Sequence, residues 1–205
     1  GIKTLSINRK EMDDDEMDCL AEALLNTASL AVLQVEDNNL GPPSLGFLAS
    51  VLGRNTSLSS LSLEGNNLTN FSSLPAQDNE RIKSSNLDRA LLEFGKFAKS
   101  LHGNTNLAYL NLSNCNLGRE CGAMLCEMLE SNQSLIMIDL TRNAELDSRD
   151  IIKIQSKLKK NFMRYKAERL TEYQERKYMR ENYEHKRQKE RVLMDNQNVA
   201  EKIRA

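Results

Sequence analysis

The chain has 205 residues, of which 28% are charged and 40% hydrophobic, and its formal net charge at pH 7 is −1. Its length predicts one elongated domain with an extension. No stretch approaches the ~18 consecutive apolar residues of a transmembrane helix, so we expect no membrane partner. Residues 1–160 carry 16 Lys and Arg against 21 Asp and Glu, whereas residues 161–205 carry 12 against 8. This asymmetry predicts an acidic body and a basic tail.

A pattern of the form L-x-x-L-x-L-x-x-N-x-L recurs from the first residues onward. Its copies, the first of them degenerate, start at Ile2, Leu30, Leu58, Leu107 and Leu135. Three of the four steps between copies are 28 residues and one is 49. Such a period is typical of a leucine-rich repeat, in which each unit buries its apolar face against its neighbours. The first copy begins abruptly and without a polar capping unit, so we expect further chain upstream of it.

Each copy predicts a short strand followed by a helix. Pattern positions four and six point inward and positions three and five point outward, as strand pleating requires. The Asn at position nine is expected to bond the backbone in an Asn ladder, with Cys115 in that place in the fourth copy. Apolar residues at i and i+4 then predict the helix, and Gly46, Gly95 and Gly122 precede them, where a glycine lets helix and strand layers approach. An Asn is expected to close each of four helices: Asn55, Asn104, Asn132 and Asn161.

These long, helix-rich units resemble the ribonuclease-inhibitor class of leucine-rich repeat proteins over roughly residues 1–161. The predicted fold is α/β: a solenoid of about five repeats, with a short parallel sheet and outer helices, followed by a long C-terminal α-helix. An ordinary α/β domain is the alternative, but it has no reason to keep both the pattern and the period. We therefore predict a repeat domain at 1–161 and a capping, projecting helix at 162–205.

The step from the third to the fourth copy is 21 residues longer than the period. Aligning the helices places this excess at 69–89, a polar segment that contains Pro75 and has no sustained periodicity. We predict a loop after the third strand. One interpretation is a tolerated surface insertion, because lengthening a loop costs little free energy. The other is a loop that contacts a partner.

The outward strand positions predict a binding surface, here called the concave face: pattern positions three, five and seven, together with Asp37. Glu36, Asp37 and Glu64 are expected to form an acidic patch, and Tyr109 and Met137 to be neighbouring anchors. Exposed Tyr and Met beside charge are typical of an interface centre with a polar rim. The candidate partner-binding residues are Val32, Gln34, Glu36, Asp37, Glu64, Tyr109, Asn111, Met137 and Asp139. The alternative is that these are solvated strand positions without a partner.

The sequence shows no arrangement of residues that suits catalysis or a cofactor. It has no evident nucleophile–base pair, phosphate-binding loop or zinc spacing, and His102 and His185 are isolated. The four cysteines do not form the cysteine-rich caps of extracellular repeats, which predicts a reduced, cytoplasmic protein. We therefore expect no enzyme activity, no metal and no cofactor.

The C-terminal segment predicts one long helix. From Asp150 onward it is rich in good helix formers, with Asp147 and Ser148 as an N-cap. One face is expected to cover the open end of the last repeat: Ile154, Leu158, Phe162, Tyr165 and Tyr173. Further on, i,i+4 ion pairs predict a solvated helix. No heptad persists, so we do not expect a self-sufficient coiled coil, and packing of this helix against another chain, including self-association, stays open. Interleaved acids argue against a nucleic acid partner. The candidate partner-binding residues of the tail are Tyr178, Tyr183 and Leu193.

The resemblance implies a function in protein binding. Ribonuclease inhibitor binds enzymes on an acidic concave face, tropomodulin-like proteins place a short repeat array and a capping helix on actin, and leucine-rich axonemal subunits combine such arrays with long charged helices. We predict a non-catalytic interaction scaffold or adaptor, associated with the cytoskeleton or the axoneme of a cilium. The alternative is a regulatory module for a small GTPase or another enzyme, which would act through loops at the strand ends.

Overall fold

The computed structural model of the chain describes residues 1–69 and 80–204, and within them the side chains of 1–69, 85–188 and 191. Strands and helices alternate along these residues. The strands are β1 Thr4–Ser6, β2 Val32–Gln34, β3 Ser60–Ser62, β4 Tyr109–Asn111 and β5 Met137–Asp139. The helices are α1 Asp14–Leu25, α2 Pro42–Leu52, α3 Glu80–His102, α4 Arg119–Met128 and α5 Ser148–Arg204. None of the helices described is both long and apolar enough to cross a membrane.

The five strands form one parallel sheet in the order β1-β2-β3-β4-β5. Each strand therefore pairs with the strand of the next repeat, and the same pattern position lies in register across the whole sheet. Leu33 is opposite both Leu5 and Leu61, for example. Every connection carries a helix, as parallel neighbours require. The predicted α/β repeat fold is confirmed.

The core lies between the sheet and the helices. Leu33, Leu61 and Leu110, at the central strand position, are at most 2% exposed, and so are Leu48 and Leu125 on the helices. Burying one such side chain contributes about 1.5–3 kcal/mol. Because each unit repeats the same contacts, one continuous apolar layer runs through all five units.

The predicted Asn ladder lies where the strands turn into the loops. The side-chain oxygen of Asn66 accepts the backbone N–H of Asn38 at 3.2 Å, and that of Asn143 accepts the N–H of Cys115 at 3.0 Å. The Cys115 thiol instead donates to the carbonyl of Leu63 at 3.2 Å. The ladder is therefore formed by side-chain amides at the Asn positions and by a thiol at Cys115.

A side chain of the preceding repeat caps helix α2. Gly41 and Pro42 at its start offer no side-chain cap of their own. The Asp14 carboxylate, on α1, accepts the backbone N–H groups of Gly41 at 2.9 Å and Ser44 at 3.2 Å, and it also accepts the Ser44 hydroxyl. One carboxylate thus satisfies donors that the helix leaves open at its start, which links two neighbouring repeats.

The loop predicted at 69–89 is wrong in its second part, because residues 80–89 belong to α3. Residues 70–79 lie outside the described residues. The C-terminal half of α3 packs into the core through Phe94 and Phe97, which are both fully buried, with ring centroids 6.2 Å apart. Residues 80–89 therefore lengthen a helix whose last turns are anchored in the core.

The prediction that Asn161 ends a helix is also wrong, because α5 continues through it to Arg204. Its side chain donates to the carbonyls of Asn132 at 3.0 Å and Leu135 at 2.8 Å. Ile154 and Leu158 are buried as expected, whereas the rest of the predicted covering stripe is more than two-fifths exposed: Phe162, Tyr165 and Tyr173. The buried stripe of α5 therefore stops at Asn161.

The chain divides into two compact units, Gly1–Phe162 and Met163–Ala205. The first holds the sheet, the repeat helices and the first turns of α5. The second is the remainder of α5, whose described side chains beyond Arg164 are all exposed.

The glycine before the helical core positions has a different neighbour from the one predicted. At Gly122, a Cβ atom would lie 3.3 Å from Leu146 and 3.5 Å from Asp150, which belong to the next repeat. The close approach is therefore between neighbouring repeats, and not between helix and strand.

Candidate protein-binding surface

Tyr109 and Met137 form an exposed apolar pair on the concave face. They are register partners on β4 and β5, and their exposed fractions are 46% and 54%. Their pattern position points both side chains away from the core. The next residue on each strand, Leu110 or Ile138, packs into the core instead. A large aromatic and a flexible thioether side by side are suited to contact another protein.

The neighbouring strands carry smaller side chains on the same face. Val32 and Gln34 on β2 are half-buried, and they pair with Ser60 and Ser62 on β3. The buried Ser62 hydroxyl has no hydrogen-bond partner among the residues that the structure describes. The concave face is thus shallow around β3 and raised at Tyr109 and Met137.

Two of the three predicted acidic residues are held in place by amide side chains. Asn8 donates to the Glu36 carboxylate at 2.9 Å, and its side-chain oxygen accepts the backbone N–H of Glu36 at 2.9 Å. Asn111 donates to the Glu64 carboxylate at 3.0 Å. The carboxylates are therefore fixed in direction before any partner arrives, which lowers the entropy lost on binding.

Two arginines that the sequence analysis did not single out neutralise part of the acidic patch. Arg9 pairs with Asp37 at 3.1 Å, and Arg142 pairs with Glu64 at 3.5 Å. Of the three predicted acidic residues, Asp37 and Glu64 are therefore in ion pairs, whereas Glu36 is bonded by the uncharged amide of Asn8. Comparing the eighth pattern position of every repeat would have found both arginines, since Arg9, Asp37 and Arg142 all occupy it.

The eighth position also has an unusual backbone. In every repeat it has a positive φ, between 51° and 74°: Arg9, Asp37, Gly65, Asn114 and Arg142. Side chains in this left-handed conformation cost about 1–2 kcal/mol unless the residue is Gly or a tolerant Asn or Asp. Since Arg9 and Arg142 bear this cost, the turn itself must be dictated by the repeat geometry.

The polar residues of β5 are likewise oriented by the protein. The Asp139 carboxylate accepts the backbone N–H of Thr141 at 2.9 Å and its hydroxyl at 2.7 Å, and the Thr141 hydroxyl lies 2.9 Å from that of Ser113. Asn111 and Asp139 are register partners, so this polar strip borders the Tyr109–Met137 pair. The arrangement is an apolar centre with an ordered polar border.

The buried cysteines are poor nucleophiles. Burial raises the pKa of the Cys115 thiol to about 12 and that of the Cys121 thiol to about 11, from an ordinary value of 9.0. Both thiols therefore stay protonated at neutral pH. Among the described residues, no three His, Cys, Asp or Glu side chains are grouped to hold a metal ion.

The predicted tail residues do not form one surface. Tyr178 and Tyr183 are both 64% exposed, but five residues of helix separate their directions by about 140°. The Leu193 side chain lies outside the described side chains. Lys177 and Glu181 form an ion pair of the expected i,i+4 kind, with 3.9 Å between the ammonium nitrogen and the carboxylate.

Comparisons with known proteins identify relatives of the repeat array. No protein-family model matches the chain. Human NACHT, LRR and PYD domains-containing protein 13 is 30% identical over 156 residues, which are 71% of this chain and 15% of that protein. The chain thus spans about one-seventh of the length of the curated relative it matches.

Two solved structures share the fold. The tropomodulin C-terminal domain of Caenorhabditis elegans has a TM-score of 0.65 at 17% identity, covering 83% of this chain and 90% of that one. A structure described as Leiomodin-1 Actin-Binding Site 2 has a TM-score of 0.66 at 15% identity, covering 84% and 88%. At this identity the likeness shows the fold alone, which is a leucine-rich repeat array with a C-terminal helix.

Proposed function

We propose that this chain is a non-catalytic protein-interaction module that binds its partner on the concave face. The observation that carries the proposal is the Tyr109–Met137 register pair, about half exposed and bordered by oriented polar groups. Interface centres are enriched in Tyr and Met, and a few anchors usually supply most of the binding free energy. We also propose that the array is of the ribonuclease-inhibitor class and that residues 162–205 act as a separate extension.

We further propose actin as the partner and the cytoskeleton as the location. A structure with this fold is described as an actin-binding site of leiomodin-1, and its coverage of both chains exceeds four-fifths. The ciliary location, which the long charged helix suggested, stays a prediction.

The test measures binding of the purified chain to fluorescent monomeric actin by thermophoresis and to filaments by co-sedimentation. The test variant is Tyr109→Ala/Met137→Ala. The matched control is Leu92→Ala/Ile152→Ala, which removes two apolar side chains that are 60% and 65% exposed on α3 and α5. We expect the test variant to bind at least about tenfold more weakly, because each anchor contributes more than about 1 kcal/mol.

Each other outcome contradicts a defined part of the proposal. Actin binding that both variants retain would place the site elsewhere on the chain. A chain that binds neither monomer nor filament would show that the actin assignment is wrong. Equal loss in both variants would indicate a general effect on the fold, and circular dichroism with urea unfolding separates that case.

A further inference from the structure

Five arginines of α5 recur at intervals of 7, 4, 7 and 4 residues. They are Arg169, Arg176, Arg180, Arg187 and Arg191, and all are exposed. Seven and four make eleven residues, which are about three turns of an α-helix. The five side chains therefore leave the helix within an arc of about 60° and extend over ~33 Å of its length. We call this set the arginine ridge.

Tyrosines lie along the same side of the helix. Tyr165, Tyr173 and Tyr183 are 42%, 65% and 64% exposed, and they widen the arc to about 80°. Lys177 and Lys186 point about 70° and 110° away from the centre of the ridge. Five arginines and three of the four tyrosines of α5 therefore lie on one side of the helix, whereas Tyr178 and these two lysines lie off it. Arg and Tyr are the side chains most enriched among residues that dominate protein interfaces.

The positive charge of the ridge is only partly compensated within the helix. Arg169 and Arg176 share one carboxylate, that of Glu172, at 3.5 and 3.2 Å. Arg180 and Arg187 form no ion pair with any other side chain that the structure describes. The ridge thus presents two planar guanidinium groups whose donors are open to an external acceptor.

We propose that the arginine ridge binds an acidic surface of a partner protein, with the three tyrosines as flanking apolar contacts. Guanidinium groups bind carboxylates through two parallel hydrogen bonds, which gives direction as well as affinity. Glu172 and Glu184 flank the ridge on opposite sides, about 70° and 50° from its centre. They would repel the continuous negative charge of a nucleic acid more than the separated carboxylates of a protein. This site is independent of the concave face and of actin.

The test uses the full chain and a fluorescein-labelled poly-glutamate peptide long enough to span ~33 Å. Fluorescence anisotropy measures its affinity for the wild type, for Arg180→Glu/Arg187→Glu, and for the matched control Lys177→Glu/Lys186→Glu. Both variants change the net charge equally on the same helix. We expect the arginine variant to lose at least about tenfold in affinity and the lysine variant less than about threefold.

Three results would overturn the proposal. One is an equal loss in both variants, which would mean that only net charge matters; another is no binding of the peptide to the wild type. The third is tighter, ridge-dependent binding of a single-stranded oligonucleotide, of phosphatidylserine vesicles or of a second copy of the chain in sedimentation equilibrium. Circular dichroism confirms that each variant keeps its helix content.

Discussion

The side-chain amide of Asn132 donates a hydrogen bond to the backbone carbonyl of Leu101, 2.6 Å away and one repeat earlier. Leu101 is in the last turn of α3, so the amide satisfies a carbonyl that the helix end leaves open. The oxygen of the same amide accepts the backbone N–H groups of Ser134 and Leu135. Asn55 and Asn104 make the corresponding bonds to the carbonyls of Leu24 and Leu52, in the last turns of α1 and α2, and Asn161 donates to the carbonyl of Asn132, beyond the end of α4. A second Asn ladder therefore runs along the helix ends, opposite the ladder at the strand ends.

Replacing Asn132 should destabilise the fold strongly. The amide is 3% exposed, so Asn132→Ala leaves several buried backbone groups unpaired, and the expected loss is about 3 kcal/mol. Urea unfolding measures it. Asn26→Ala is the control, because Asn26 makes a single exposed bond to the carbonyl of Glu22 at the end of α1. Equal effects of the two substitutions would contradict a structural role for the second ladder.

Gly65 should tolerate no side chain. Its φ is +74°, and a Cβ there would overlap the Asp37 carboxylate and lie 3.3 Å from the Asp37 Cα. We expect Gly65→Ala to lower the free energy of unfolding by about 2 kcal/mol. Gly103→Ala is the control, since a Cβ at Gly103 has nothing within 4 Å, and its effect should be within about 1 kcal/mol of zero. A neutral Gly65→Ala in thermal unfolding would show that the turn adapts.

Asp14 should stabilise the neighbouring repeat as well as its own helix. Asp14→Ala removes the acceptor at the start of α2, and we expect a loss of about 1–2 kcal/mol. Asp15→Ala removes the same charge from the same turn of α1, where the side chain is exposed, and should cost less than about 0.5 kcal/mol. Chemical unfolding of both variants decides between a specific cap and a general charge effect.

The buried thiols should make the fold less stable in alkali. In the folded state the pKa of Cys115 is about 12 and that of Cys121 about 11, above the ordinary 9.0. Their contribution to the free energy of unfolding is therefore complete below pH 9 and is lost as the pH rises towards these values. Each thiol removes about 1.4 kcal/mol per pH unit in that window. Urea unfolding at pH 8 and pH 10 should show a loss that is about 1 kcal/mol smaller in Cys115→Ser than in the wild type. An identical loss in the two proteins would mean that Cys115 does not stay protonated in the folded state.

The sequence by itself determined the repeat architecture. A period of 28 residues allows only one way for successive leucines to share a buried layer, so strand order, register and the pairing of Tyr109 with Met137 follow from it. The same holds for both rows of Asn, because a side-chain amide next to a recurring turn meets the same backbone groups in every unit.

Only the tertiary structure decided which polar groups meet and where helices begin or end. Two of the three predicted acidic residues are in ion pairs because Arg9 reaches Asp37 in the next repeat and Arg142 reaches Glu64 two repeats earlier. Residues 80–89 are helical because they extend a helix anchored by Phe94 and Phe97, although their own sequence has no helical period. Asn161 bonds the preceding repeat from within α5, whereas Asn55, Asn104 and Asn132 do so from the loops after their helices. Apolar periodicity predicts the strand and the helix within one repeat, whereas these features depend on contacts between repeats.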